Sequence, residues 1–470
     1  MTSTPTAAGD VAGDHVSRRH PKGLYLLFAT EMWERFSFYG MRALLVLFMT
    51  SKTGFGWDDT RALSIYTWYI ALVYLTPIAG GYLADRVLGQ RRAVMMGGGM
   101  IMMGHFLLAL PGENAFYAGL GALILGNGLF KPNISTMVGG LYREKDPRRD
   151  AGFSIFYVGI NLGGFLGPLV CGWLGEKVNW HWGFAAAGVG MLLGLIVFAA
   201  LQHRMLGTVG LPPDRTAVKR EEKARTGPRP PLTRVELDRI IVLAVIVVFA
   251  GAFWAAYEQS GGLVNLYTER HVDRVYFGWE IPATWFQSVN SFFIFTLSPL
   301  FARLWLNLSV RQRDPSPILK MTAGLLFAGV SFTPMVLAAY QNSQGNKSSA
   351  LLVILAYLVL TVGELCISPV GLSLTTKLAP RHLAAGLMGV WFLSNFMGNK
   401  LSGEIGKQAK AYGNTAVFAG VAIGAVVFAL LLLALSRLLN RMMHGAAETK
   451  PLEELAKQQA VDGSSSATVG

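Results

Sequence analysis

One helix needs about 20 mostly apolar residues to cross a bilayer, and this chain of 470 residues offers twelve such stretches. They fall at roughly 23–50, 60–87, 92–111, 115–141, 150–175, 182–204, 238–267, 283–308, 318–340, 349–377, 383–409 and 414–438. Hydrocarbon offers no partner for a backbone N–H or C=O, so each stretch is read as a helix and the fold class as an all-α membrane protein. Composition agrees: 15% of residues are charged and the mean hydropathy is +0.41, against about 25% charged in soluble domains.

Charge sets the expected orientation, because Lys and Arg gather on cytoplasmic connections. With both termini inside, about 29 of the 41 Lys and Arg lie on the cytoplasmic side, about 8 outside and about 4 within spans. The expected location is a cell (inner) membrane crossed many times, with N- and C-termini cytoplasmic. The first stretch is too long for the core of a signal peptide and lacks a small-residue cleavage site, so it is expected to stay as the first span. A net charge of +13 does not point to nucleic acid, since the basic residues are scattered between apolar segments. Cys171 and Cys366 sit inside apolar stretches, which indicates neither a disulfide framework nor metal-ligand spacing. No nucleophile–base pair or phosphate-cradling glycine loop is apparent, so neither an enzyme nor a cofactor or metal is expected. The bilayer is the expected surrounding and the protein is expected to be a monomer.

The sharpest break in composition is 205–237, rich in Pro and basic residues and too short for another span. It divides the chain into an expected disordered cytoplasmic N-terminus (1–22), a six-helix bundle (23–204), a cytoplasmic linker (205–237), a second six-helix bundle (238–440) and a cytoplasmic tail (441–470). Two such halves match the layout of the major facilitator superfamily fold, which binds substrate between them. The run Gly80-Gly81-Tyr82-Leu83-Ala84-Asp85-Arg86, followed by Gly89, Arg91 and Arg92, resembles the signature loop of that superfamily.

Charges at membrane depth are costly, at least about 2.5–3.5 kcal/mol each, so they pair, face water or work. The first span carries Glu31, Glu34, Arg35 and Arg42. On a helix Glu31, Arg35, Tyr39 and Arg42 fall within about 80° of arc, with Glu34 on the adjoining flank. This polar stripe should face a central cavity; the alternative is an ion-pair ladder that only fixes packing. Lys131 lies about ten residues from the end of its span, before Pro132, too deep to reach the surface easily. In the second half Glu258 and Glu364 are the deep acids, and Ser368 shares a face with Glu364. Cations on one side and acids on the other suit a zwitterion. His105 is read as a packed core residue, so any coupled proton would fall to carboxylates whose ion pairs change with conformation.

Four segments carry a closer resemblance. Glu31-Met32-Trp33-Glu34-Arg35-Phe36-Ser37-Phe38-Tyr39-Gly40 resembles the first-span signature of the proton-dependent oligopeptide transporters, with Phe38 in place of the first tyrosine. Phe156 to Gly164 resembles the fifth-span signature, with Gly164 where serine is common. Gly363 to Ser373 and Trp391-Phe392-Leu393 resemble the tenth- and eleventh-span motifs. The resemblance implies a proton-coupled symporter of di- and tripeptides working by alternating access. It implies Arg35 and Lys131 at the peptide carboxylate, and Asn161, Asn290 and Glu364 at its amine. Tyr39, Tyr74 and Trp391 would line the side-chain pockets, beside Ser368. Glu31, Glu34, Arg35 and Glu258 would couple protons, with Arg42–Glu258 and Lys131–Glu364 as gating salt bridges. A carrier of another small anion such as nitrate, a drug–proton antiporter, and a receptor without transport are the alternatives.

Overall fold

A computed structural model describes residues 19–143, 146, 148–212, 232–379 and 384–446. Of the N-terminus expected to be disordered (1–22), residues 1–18 lie outside this set, as do 213–231 of the linker and 447–470 of the tail, while Lys22 already opens the first helix. The described helices are α1 (Lys22–Thr50), α2 (Asp59–Leu83), α3 (Gln90–Leu108), α4 (Glu113–Gly140), α5 (Arg149–Trp173), α6 (Trp180–Met205), α7 (Arg234–Tyr257), α8 (Leu263–His271), α9 (Trp285–Val310), α10 (Pro317–Ser343), α11 (Ala350–Leu378), α12 (Ala384–Lys407) and α13 (Ala409–Met442). They form twelve rods, because α7 and α8 are the arms of one broken span.

That break corrects the continuous helix expected over 238–267. After Tyr257 the chain makes a single 3-10 turn at Glu258–Ser260 and passes through Gly261 and Gly262 before α8 begins. Gly261 leaves room that a side chain would fill: a Cβ there would lie 2.9 Å from Arg42 Nη2. The last span is longer than expected and kinks at Gly413, whose φ is 78°. The segment 272–281, expected as a loop, contains short strands. Val275–Tyr276 pairs antiparallel with Trp279–Glu280 across a turn at Phe277 and Gly278, both with positive φ. Val272–Asp273 pairs parallel with Ser348–Ser349.

Eight rods are long and apolar enough to cross a membrane by themselves. α1, α3, α4 and α12 fall short of that measure. The charges on α1 face inward, and α4 carries Lys131, so polar groups dilute the hydropathy of helices that still pack inside the bundle.

Helix neighbours repeat between the halves. α1 lies along α5 and α6, and α3 along α4; in the second half α7 lies along α12, and α10 along α11 and α13. The halves meet along two seams, α2 against α12 and α5 against α9. The apolar core divides accordingly into one cluster around Leu44, Tyr66, Phe130 and Phe184 and another around Phe253, Met321, Phe332 and Phe418. Glycine permits the closest contacts: Gly163 and Gly167 of α5 lie against the backbone of Met32 and Phe36 in α1. This contact sets α5 beside the charged stripe. Large apolar side chains such as Ile196 on α6 and Ile423 and Leu430 on α13 point outward, the face that lipid covers.

The two ends of the bundle differ. At the end carrying the α1–α2 and α5–α6 connections, ion pairs join the halves: Arg270–Asp59 at 2.7 Å, Lys410–Asp58 at 2.7 Å and Lys177–Glu280 at 2.9 Å. At the other end, where the linker attaches, α4 and α11 do not pack along one another. The structure is therefore closed at the first-loop end and, among the described residues, parted between α4 and α11 at the linker end.

Candidate functional site

The polar stripe of α1 runs into the space between the halves. Arg35 Nε lies 2.9 Å from Glu31 Oε1 and 2.6 Å from Glu34 Oε2, and all three side chains are buried. The cluster leaves capacity over. Arg35 Nη2, Glu31 Oε2 and Glu34 Oε1 have no hydrogen-bond partner among the described residues. Phe38 packs against this cluster, its ring centroid 5.5 Å from the Arg35 guanidinium carbon and 5.3 Å from the Tyr39 ring. The residue that stands in place of the first tyrosine of the signature thus touches the central cation.

Lys131 reaches the same region from α4. Its Nζ lies 4.1 Å from the centroid of the Tyr74 ring on α2, a cation–π contact. It makes no ion pair among the described residues. Among the acids, Glu34 and Glu31 act on it most strongly through space. Pro132 has no N–H to bond the Gly128 carbonyl, and that oxygen faces Gly80 of α2.

Two turns beyond Arg35 along α1, Arg42 bonds Glu258 at the break between α7 and α8. Arg42 Nε also donates to the Tyr66 hydroxyl at 2.7 Å, and Asn399 of α12 stands beside Glu258. Both members of the pair are almost wholly buried.

The second half presents an acid–amide set. Asn290 Nδ2 on α9 donates to Glu364 Oε2 and to Thr361 Oγ1, each at 3.0 Å, and the Tyr257 hydroxyl donates to Asn290 Oδ1 at 3.1 Å. Ser368 Oγ is buried with no partner among the described residues. A small chamber lies between this set and the closed end, with Tyr39, Arg42, Tyr257, Gln287, Asn290 and Tyr357 on its walls. Towards the linker end Tyr157 is 42% exposed, although Asn161, one turn on, is buried.

The structure brings together Glu31, Glu34 and Arg35; Lys131 and Tyr74; Arg42 and Glu258; and Asn290 and Glu364. It does not join Lys131 to Glu364: one lies on a tyrosine ring, the other holds an amide, and their helices stand apart. Asn161 spends its amide on the Tyr157 carbonyl of its own helix, 2.9 Å away. Trp391 is buried with its ring against Gly371. His105 is fully buried and its ring nitrogens have no partner among the described residues. Sequence reasoning did not single out Tyr66, Tyr257, Thr361 or Asn399. All are polar groups inside apolar stretches, which was the available signal.

Comparison with known proteins places this arrangement. The POT family model matches residues 91–213 and 233–421. The chain is 37% identical over 488 residues to the peptide transporter YePEPT of Yersinia enterocolitica, covering 90% of this chain and 96% of that one. It is 36% identical over 484 residues to a di-/tripeptide transporter of Lactococcus lactis, with the same coverage. Its fold matches the crystal structure of a peptide transporter POT in complex with sulfate, with a TM-score of 0.84, 40% identity, and 90% and 96% of the two chains covered. The chain is an integral membrane protein with the fold of the major facilitator superfamily, a transporter and not an enzyme. It belongs to the POT family.

Proposed function

We propose that this chain is a proton-coupled symporter that imports di- and tripeptides. The peptide binds between the two bundles, and alternating access carries it across. The observation that carries this reading is the division of charge across the cavity: Arg35 and a Lys131 without an ion pair among the described residues on the first half, the Glu364–Asn290 set on the second. The names of the similar proteins support it.

In this reading Arg35 and Lys131 hold the peptide carboxylate. Glu364 with Asn161 and Asn290 receives the ammonium. Tyr39, Tyr74 and Trp391, with Ser368 nearby, form walls that tolerate varied side chains. These ends recur in every short peptide, so fixed charges recognise them while the walls admit the rest.

Coupling follows from the Arg35 cluster. Drawn to a peptide carboxylate, the guanidinium loosens its hold on Glu31 and Glu34, and one of them takes up a proton. Proton and peptide then bind with positive and reciprocal coupling. Protonation of Glu258 frees Arg42 and opens the first-loop end. Closing the linker end brings α4 to α11 and lets Lys131 meet Glu364. The bundles 23–204 and 238–440 act as the rocking units about the linker 205–237. The linker end faces the cytoplasm of a cell (inner) membrane, the termini lie on that side, and the working unit is a monomer needing protons but no cofactor.

The test is uptake of labelled dialanine by proteoliposomes given an inward proton gradient. Unlabelled di- and tripeptides should compete and nitrate should not. Competition by nitrate, with none by peptides, would transfer the site to a small anion.

A further inference from the structure

Besides Arg42–Glu258, the first-loop end holds a cross-half contact with no role assigned above. Glu176 stands in the turn Leu174–Val178 that ends α5. Its carboxylate reaches the other half. Oε2 accepts the Ala283 N–H at 2.8 Å, and Oε1 accepts the Thr284 N–H at 2.9 Å and the Thr284 hydroxyl at 2.6 Å. These donors stand at the start of α9, where a helix leaves its first amides without internal partners.

α9 ties its Trp285, Phe286 and Gln287 amides to the Pro282, Ala283 and Thr284 carbonyls but supplies no side-chain cap of its own for the two amides before them. Its first turn has no acidic residue, and Thr284, at the N-cap position, makes no capping bond with its own side chain. The negative charge that suits a helix N-terminus comes instead from the first half. Arg274 lies beside the carboxylate, 3.9 Å from Glu176 Oε2 and 3.0 Å from Glu280 Oε1, and it also donates to the Ile281 carbonyl. Lys177, the neighbour of Glu176, pairs with Glu280 at 2.9 Å. Two consecutive residues of the first half thus grip the segment that leads into α9.

The contact is nearly dry. The Glu176 side chain is 9% exposed and Thr284 is fully buried. α5 and α9 are pressed together here, since a Cβ on Gly172 would lie 2.7 Å from Thr284 Cβ. Further along the seam, Trp285 Nε1 donates to the Leu169 carbonyl at 3.0 Å and Ser288 Oγ to the Phe165 carbonyl at 2.7 Å. Those two bonds are neutral, whereas the three to Glu176 are charge-assisted and hence the stronger.

We propose that Glu176 is a latch of the first-loop gate, holding the closed state by capping α9 of the opposite half and letting go whenever the halves part there. It is a gating residue, remote from the peptide. The proposal rests on the alternating-access reading. Loss of its charge-assisted bonds shifts the closed-to-open ratio at this end by about tenfold or more. Glu280, more exposed and outside the cap, matters less.

Spin labels on K52C and Q344C, exposed positions at this end of the two halves, read the separation directly. The native Cys171 and Cys366 are buried and stay out of the labelling. E176Q and E176A should move population to longer distances, and E280Q should leave the distribution near that of the unmodified gate. Unchanged distances in both Glu176 variants overturn the latch. Should neither variant fold, T284V, which removes one donor, decides: a smaller shift in the same direction supports the latch and no shift overturns it. Parallel peptide uptake by the parent protein separates the two claims. Its absence sinks the transport reading, while the distances alone judge the latch.

Discussion

Removing the Lys131 charge should sharply weaken the preference for a peptide with a free C-terminal carboxylate. Lys131 Nζ rests on the Tyr74 ring, 4.1 Å from its centroid, and has no ion pair among the described residues. A cation–π contact contributes about 2 kcal/mol when desolvated, and the lysine can keep it while donating to an anion at its free side. A hydrogen bond to a charged group contributes about 1.5–3 kcal/mol, or roughly 10- to 150-fold in affinity. A dipeptide should therefore compete better than its amide by about that factor. In K131Q the ratio should fall to a few-fold, with Arg35 supplying what is left. The two ligands and two proteins form a cycle whose coupling energy should equal the lost discrimination. Competition against labelled dialanine in counterflow measures all four corners. Equal competition by acid and amide in the unmodified protein would refute carboxylate recognition. An unchanged ratio in K131Q would refute the assignment to Lys131 and leave Arg35 alone.

Further expectations follow from the same geometry. Glu364→Gln keeps the shape that bonds Asn290 but removes the charge, so calorimetry should show ordinary dipeptides losing about tenfold or more while N-acetylated ones change little. Glu34→Gln should abolish proton-driven accumulation yet keep peptide-for-peptide exchange, read as labelled efflux into unlabelled peptide. Gly163→Val should lower the melting temperature in detergent, since a Cβ there would lie 2.7 Å from Phe36 N and 2.8 Å from Arg35 Cβ; overpacking of this kind costs about 1–3 kcal/mol.

Much of this architecture was legible because a bilayer restricts what a chain can do. Apolar stretches of spanning length can only become helices, and four charges on one helical stripe can only turn inward. Arg42 and Glu258, 216 residues apart, were matched through the resemblance, and the structure joins them. Other features depend on tertiary context. The break after Tyr257 was hidden because Gly261 and Gly262 interrupt a stretch apolar enough to continue; their use becomes visible only when Arg42 fills the space. Lys131 and Glu364 were matched as a pair, but a pair across a gate exists only when that gate is shut, and here the linker end is parted. Asn161 bonds its own backbone, an option open to any asparagine inside a helix. Gly164 is explained by a neighbour from the other half: a Cβ there would stand 2.8 Å from Ser291 Oγ and 3.2 Å from the Tyr39 ring. Glu176 gave no signal, since an acid at the end of an apolar stretch looks like any interfacial charge until the start of α9 is seen against it.

Coupled flux tests the central claim most directly. Proteoliposomes loaded with a pH-sensitive dye, held at matched pH and clamped to a negative interior potential, receive dialanine outside. A proton-coupled peptide symporter acidifies the lumen only on addition of the peptide, and the acidification saturates with the same concentration dependence as labelled uptake. Peptide entry with no change of lumenal pH would make the protein a uniporter, alkalinisation would make it an antiporter, and either result contradicts the account.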